Sequence, residues 1–230
     1  ATPFRTDSGA LDELDDNDDR LFTAVAYECD IHKLIADGWL SNVISRGVKH
    51  AIDTTGVATR NGDFVPGELE TAAMAGSNVA DSVEEVVARA SGRRSWLFFC
   101  CGVEHAEAVA RELAARDITV ALITGETKSE ERGQAIDGFR DGRLRAIVNV
   151  NVLTTGFDAP NVDLIALLRP TKSPGLYVQM VGRGLRRAEG KADCLVLDFG
   201  GNVMRHGPID AVRPRKPGNG TGESIAAMEC

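Results

Sequence analysis

The chain has 230 residues, 43% of them hydrophobic and 26% charged, with a net charge of −8. That length holds one domain with a sizeable core plus extra segments. No apolar run reaches the roughly 18 residues a membrane helix needs, and no basic-then-apolar leader opens the chain, so a membrane protein and a secreted one are both disfavoured and the expected location is the cytoplasm. Five cysteines (Cys29, Cys100, Cys101, Cys194 and Cys230) show no C-x-x-C spacing, so no metal site is expected. Cys100, Cys101 and Cys194 fall in apolar runs and read as buried reduced thiols. The acidic total does not advertise a nucleic-acid binder, but the charge is uneven. From Arg169 to Lys216 there are ten Lys/Arg against four Asp/Glu, enough to hold phosphates locally on an acidic body.

In chain order, residues 1–20 are irregular and acidic. Residues 21–40 space their apolar positions as a helix does, with Gly38 as a stop. Residues 43–50 read as a strand. Gly62-Asp63 and Pro66-Gly67 are turn signals, followed by helical stretches over Glu68–Met74 and Val79–Ala90. From Ser95 the pattern is regular. Apolar runs at Trp96–Cys100, Thr119–Ile123, Ala146–Val150, Val162–Leu168 and Cys194–Phe199 read as buried strands. Between them lie helices at Glu104–Arg116, with Ala106, Val109, Ala110 and Leu113 on one face, at Ser129–Arg140, with Ile136 and Phe139 inward, and from Pro174 to Val181. Strands alternating with helices predict an α/β fold, a parallel sheet with helices on both faces and ligands beyond the carboxyl ends of the strands. The Pro-, Gly- and Lys/Arg-rich end, residues 211–230, reads as a linker.

Two segments carry chemistry. In Gln179-Met180-Val181-Gly182-Arg183-Gly184-Leu185-Arg186-Arg187, Arg183 and Arg186 are three apart and would share a helix face. Two fixed guanidinium groups suit the charge of a transferring phosphoryl group. A solvated basic helix end is the plainer reading. In Asn149-Val150-Asn151-Val152-Leu153-Thr154-Thr155-Gly156-Phe157-Asp158, Thr154 and Thr155 offer hydroxyls at a strand end and Gly156 permits close approach. Asp158 is placed to accept from a ribose hydroxyl or, more plainly, to cap a turn. Asp12-Glu13-Leu14-Asp15 imitates a magnesium-binding box but follows no strand and reads as an acidic loop. His105 reads as a partly exposed structural residue, Trp39 and Trp96 as core or interdomain packing.

These two segments, in this order, resemble motifs V and VI of superfamily 2 helicases. Phe98–Ala106 resembles motif IV. Ile123-Thr124-Gly125-Glu126-Thr127 is similar to the Thr-Gly turn that meets the nucleic-acid backbone, Phe139-Arg140-Asp141-Gly142 to the turn before motif V's strand, and Ala1-Thr2-Pro3-Phe4-Arg5 to the tail of motif III. Thr155, Asn151 and Met180 depart from the DEAD-box pattern. The connecting region and basic tail resemble a RadD-like branch, in which Cys230 would be the first ligand of a zinc module.

The resemblance implies a RecA-like helicase C-terminal domain over residues 41–210, after the tail of a first motor domain and a linker over 1–40. It implies Arg183 and Arg186 as catalytic arginine fingers, and Gly156, Asp158, Arg183 and Arg186 as the ATP-binding set. Thr124, Gly125, Asn149, Thr154, Thr155 and Gln179 would hold nucleic acid, DNA ahead of RNA. No G-x-x-x-x-G-K-[ST] occurs, and Gly190-Lys191 is followed by Ala192. ATP and Mg²⁺ would then belong to the whole protein, with an N-terminal RecA-like domain as partner in cis and no membrane partner. A double-strand translocase or remodeller, a non-enzymatic RecA-like binding module and an unrelated dinucleotide-binding domain are the alternatives. The last lacks any G-x-G-x-x-G after a strand.

Overall fold

A computed structural model describes residues 31–152 and 158–212. Cys29, Cys230, the Ala1–Arg5 and Asp12–Asp15 segments, the tail beyond Val212, and Thr154, Thr155 and Gly156 lie outside them. Six strands form one all-parallel sheet: β1 (Asn42–Arg46), β4 (Trp96–Phe99), β5 (Val120–Ile123), β6 (Ala146–Asn149), β7 (Leu164–Leu167) and β8 (Asp193–Asp198), in the order β1-β8-β7-β4-β6-β5. The short strands β2 (Thr59–Arg60) and β3 (Asp63–Phe64) make a separate antiparallel hairpin, turned by Asn61-Gly62 in left-handed backbone.

Apolar runs make the central strands β4, β6, β7 and β8 because both faces of the sheet are covered there. One face takes α2 (Pro66–Ala73), α3 (Asn78–Arg89) and α4 (Val103–Ala114), through Leu69, Val83, Val86, Ala106, Val109 and Leu113. The other takes α1 (Ile31–Ala36), α5 (Ser129–Arg140) and α6 (Pro174–Val181), through Ile31, Ile35, Phe139, Tyr177, Met180 and Val181. A last short helix, α7 (Asn202–His206), follows β8. Pro66-Gly67, expected as a turn, instead opens α2. Proline suits the first helical position, where its missing N–H has no partner to lose. Cys100, Cys101 and Cys194 are buried thiols, with the pKa of Cys101 and of Cys194 pushed up to about 12 chiefly by burial. Among the described residues no helix is long and apolar enough to cross a membrane.

Trp96 is a core residue beneath the Arg145 guanidinium, which lies 4.6 Å from its ring centre, and Trp39 is 72% exposed. One expectation is corrected by burial. His105, expected to be partly exposed, is only 1% exposed. It sits in the first turn of α4, whose amino end has no hydroxyl cap: Gly102 holds the cap position. Glu70 of α2 substitutes for that cap by accepting from His105 N at 3.0 Å, and the imidazole Nδ1 accepts from Cys101 N at 3.4 Å.

Two tests follow from this packing. Burial lowers the His105 pKa from 6.5 to about 4. Between those values the unfolded chain takes up a proton that the folded chain refuses. Stability is therefore full above the upper value and falls as pH drops toward the lower one, by up to about 1.4 kcal/mol per pH unit. Urea unfolding of His105→Gln against the parent across that window is expected to show a shallower loss in the variant. Gly184 lies against the amino ends of β7 and β8, where an added Cβ would meet Cys194 Sγ at 2.5 Å and Ile165 Cδ1 at 3.1 Å. Gly184→Ala is expected to cost about 1–3 kcal/mol in the same assay.

Candidate functional site

A parallel sheet sends every connection from the carboxyl end of one strand back to the amino end of the next. That rule divides the candidate residues into two groups on opposite edges.

At the carboxyl edge, β5 ends in the turn Thr124-Gly125-Glu126-Thr127. Thr127 Oγ1 accepts from Thr124 N at 2.9 Å and Thr124 Oγ1 accepts from Glu126 N at 3.3 Å. Arg132 of α5 donates to the Thr127 carbonyl at 3.1 Å and fixes the turn from behind. Gly125 is exposed, with no left-handed backbone and nothing within 4 Å of a built Cβ, so the fold itself does not require glycine there. Asn149, expected among the nucleic-acid contacts, is the buried last residue of β6. Its amide donates to the Phe98 carbonyl at 2.7 Å, an attachment between neighbouring strands that removes it from any surface.

Arg183 and Arg186 stand elsewhere, and not on a helix. Helix α6 ends at Val181, and residues 182–186 continue as turns, with Arg183 N and Gly184 N bonded three residues back to Met180 and Val181. Glycines at 182 and 184 each disfavour helix by about 1 kcal/mol, and Gly184 is needed flat against the sheet. This arginine loop lies at the amino edge, contrary to the expectation that ligand residues gather at the carboxyl ends. Ser41 N, just before β1, donates to the Leu185 carbonyl at 2.7 Å, and Arg187 donates to the carbonyl of Gly38.

Asp158 is brought to the same place. Its carboxylate pairs with Arg186 at 2.7 Å, and its carbonyl accepts from Arg140 Nε at 2.8 Å at the end of α5. Arg183 is buried to 9% exposure beside them. Burial first, and Arg186 second, lower its pKa, while Asp158 opposes both. Gln179, expected with the nucleic-acid set, lies half-buried on the last turn of α6 and so belongs to the arginine end of that helix. The structure thus groups Asp158, Arg183 and Arg186 at the amino edge and holds Thr124 and Gly125 at the carboxyl edge. Asn149 ends β6 at the carboxyl edge, and Asp158 lies at the amino edge.

Sequence reasoning missed several supporting residues. Asp63, in the hairpin, accepts from Thr171 Oγ1 and from Lys172 N, each at 2.7 Å, and steadies the turn that starts α6. Ser173 then caps α6 by accepting from Leu176 N. Arg169 reaches from the end of β7 to the Asn151 side chain. Lys191, dismissed in the sequence as part of an incomplete phosphate loop, donates to three carbonyls of the arginine loop and of the Asp158 segment. The Asp63 pairs and the Lys191–Pro160 pair are separated by tens of residues, and no local pattern announces them. Among the described residues no group of three His, Cys, Asp or Glu forms a metal site.

Residues 78–188 match the family described as the helicase conserved C-terminal domain. The irc3 protein of Schizosaccharomyces pombe, named as a mitochondrial ATP-dependent helicase, is 35% identical over 207 residues, covering 89% of this chain and 32% of that protein. The IRC3 protein of Saccharomyces cerevisiae, named as an ATP-dependent helicase, is 30% identical over 206 residues, covering 86% and 28%. The chain therefore spans about a third of the length of these curated relatives. In fold it is similar to a fragment named as an HsdR subunit of a type I restriction enzyme from Vibrio vulnificus YJ016, with a TM-score of 0.64 at 24% identity over 82% of this chain and 38% of that one. The parallel sheet, the family match and these relatives agree: the chain carries a RecA-like helicase C-terminal domain.

Proposed function

We propose that this domain is the second motor domain of an ATP-dependent nucleic-acid helicase and works with a first motor domain in the same polypeptide. The observation that supports the reading is the placement of two residue groups at opposite edges of one sheet, joined by the Asn149–Asp158 segment. Asp158, Arg183 and Arg186 form the nucleotide side. Thr124 and Gly125 form the strand-gripping side, together with Thr154 and Thr155 on the sequence resemblance. Gly156 joins the nucleotide side on the same ground.

On the nucleotide side, Arg186 is held by Asp158 in a pair whose side chains are 35% and 68% exposed. A pair this open is worth at most about 1 kcal/mol. A triphosphate seated in a neighbouring domain presents more negative charge than one carboxylate and can draw Arg186 away. Asp158 is then released to accept from a ribose hydroxyl. Arg186 meets the charge that spreads over the transferring phosphoryl group, and buried Arg183 adds a second cation behind it. The phosphate loop and the Mg²⁺ ligands belong to the first domain, because no G-x-x-x-x-G-K-[ST] lies in these 230 residues. On the other edge, bare Gly125 lets a phosphodiester approach the backbone, and the Thr124 hydroxyl, already an acceptor, has a proton to donate to a phosphate oxygen.

In the full-length protein, Arg186→Ala is expected to lower ATP turnover by about 10³-fold or more while ATP and nucleic-acid affinities stay close to the parent. Steady-state turnover with parallel binding titrations is the check, and unchanged turnover removes the finger role. Gly125→Ala is expected to leave the melting temperature unaltered and to weaken binding of a fluorescent single strand at fixed salt, read by anisotropy. Equal affinity in both proteins rules out close approach at this turn.

A further inference from the structure

Lys191 stands outside both residue groups, yet its ammonium is fully engaged. It donates to the carbonyls of Arg186 at 2.7 Å, Gly184 at 2.8 Å and Pro160 at 3.3 Å. An ammonium has three N–H bonds, so these acceptors use its whole capacity. They come from two segments distant in sequence, the loop that carries Arg183 and Arg186 and the stretch that follows Asp158.

The surroundings point the same way. Lys191 is half-buried, and burial is the largest influence on its ammonium, lowering the pKa. Cys194, Asp163 and Asp193 oppose that shift, and Arg93 adds to it. Backbone dipoles are the groups within hydrogen-bonding distance, which turns the carbonyls of the two segments inward around one cation. Beside this cation, the arginine loop is held by backbone bonds from Arg183 and Gly184 to the end of α6, the bond from Ser41 N to Leu185, the contact of Arg187 with Gly38 and the Asp158–Arg186 pair. The last of these is the one the proposed mechanism breaks.

We infer that Lys191 is a positioning residue: it clamps the arginine loop against the Asp158 segment, so that the guanidinium groups keep their place when Arg186 leaves Asp158 for a phosphoryl group. The inference rests on the finger role of Arg186. Stabilising charge in a transition state works through groups held in place beforehand, and a misplacement of about 1 Å can cost on the order of 10²-fold in rate. Lys191 never meets the nucleotide in this account. It acts through the loop.

The test is a double-mutant cycle in the full-length protein with Lys191→Met, Arg186→Ala and the two combined, reading kcat and KM for ATP under saturating nucleic acid. Lys191→Met keeps the unbranched side chain up to Cε and loses the ammonium and its three donors. It is expected to lower kcat by about 10²-fold with KM close to the parent. In the Arg186→Ala background the same change is expected to have little further effect, because residues acting as one unit are not additive. Equal kcat losses in both backgrounds, or a loss confined to KM, overturn the positioning role and leave Lys191 as an ordinary structural staple. If Arg186→Ala alone leaves turnover unchanged, the finger reading fails and this inference falls with it. If Arg186→Ala cuts turnover and Lys191→Met does not, the finger stands and the clamp alone is refuted. Should Lys191→Met not fold, Lys191→Arg serves in the same cycle. It keeps the charge, but its planar fork cannot converge on three carbonyls, and the same kcat pattern is expected at smaller amplitude, with additivity overturning the clamp.

Discussion

The constraint on which the rest depends is the all-parallel pairing of six strands, the central four of them buried on both faces. Such a sheet returns the chain to the same edge before every strand, so each connection has one end at each edge. The turn after β5 is therefore left at the carboxyl edge, and the chain entering β8 must pass the amino edge. A single long connection, from β6 to β7, touches both groups of candidate residues. Covering both faces requires helices, and the helices fix the angle at which each connection arrives. Phe139 and Met180 lock α5 and α6 onto the sheet, and the ends of those helices present Arg140 and the arginine loop to Asp158.

Much of this architecture was legible in the sequence because burial leaves a direct trace. Strands enclosed on both sides must be apolar throughout, as Trp96–Phe99 and Leu164–Leu167 are, and helices enclosed on one side must repeat every three to four residues, as Ala106, Val109 and Leu113 do. What stayed hidden depends on distance or on competition between local rules. The spacing of Arg183 and Arg186 suits a helix, but two glycines and the close contact of Gly184 with Cys194 end α6 first. Asn149 and His105 carry polar groups that sequence reads as exposed, although one braces a strand and the other a helix end. Asp63 and Glu70 act on segments tens of residues away, and Lys191 ties its neighbouring loop to Pro160, 31 residues back. Their side chains satisfy backbone groups that any amino-acid sequence would present, and so nothing in the partner residue types marks them.

The polar contacts fall into two kinds by strength. Those that shape the domain are more sheltered: the Asp63 bond to Thr171, the Glu70 cap on α4 and the three bonds of Lys191. Leaving a buried backbone group without its partner costs about 1–3 kcal/mol, which makes each of these a fixed point. The Asp158–Arg186 pair is open to water and correspondingly weak. Within the proposed motor this difference has a use. The weak pair is the one that exchanges, while the sheltered ones hold the frame against which it exchanges.

The same view gives the proposed coupling of nucleotide to nucleic acid a physical route. In the proposed motor, a change at Asp158 would act on the connection that leaves β6 near the Thr124–Gly125 turn. The most direct measurement is nucleic-acid affinity of the full-length protein with and without a non-hydrolysable ATP analogue, for the parent and for Asp158→Ala. The account predicts that the analogue shifts affinity in the parent and that Asp158→Ala abolishes the shift while affinity without nucleotide stays as in the parent. A shift of equal size in both proteins would contradict it.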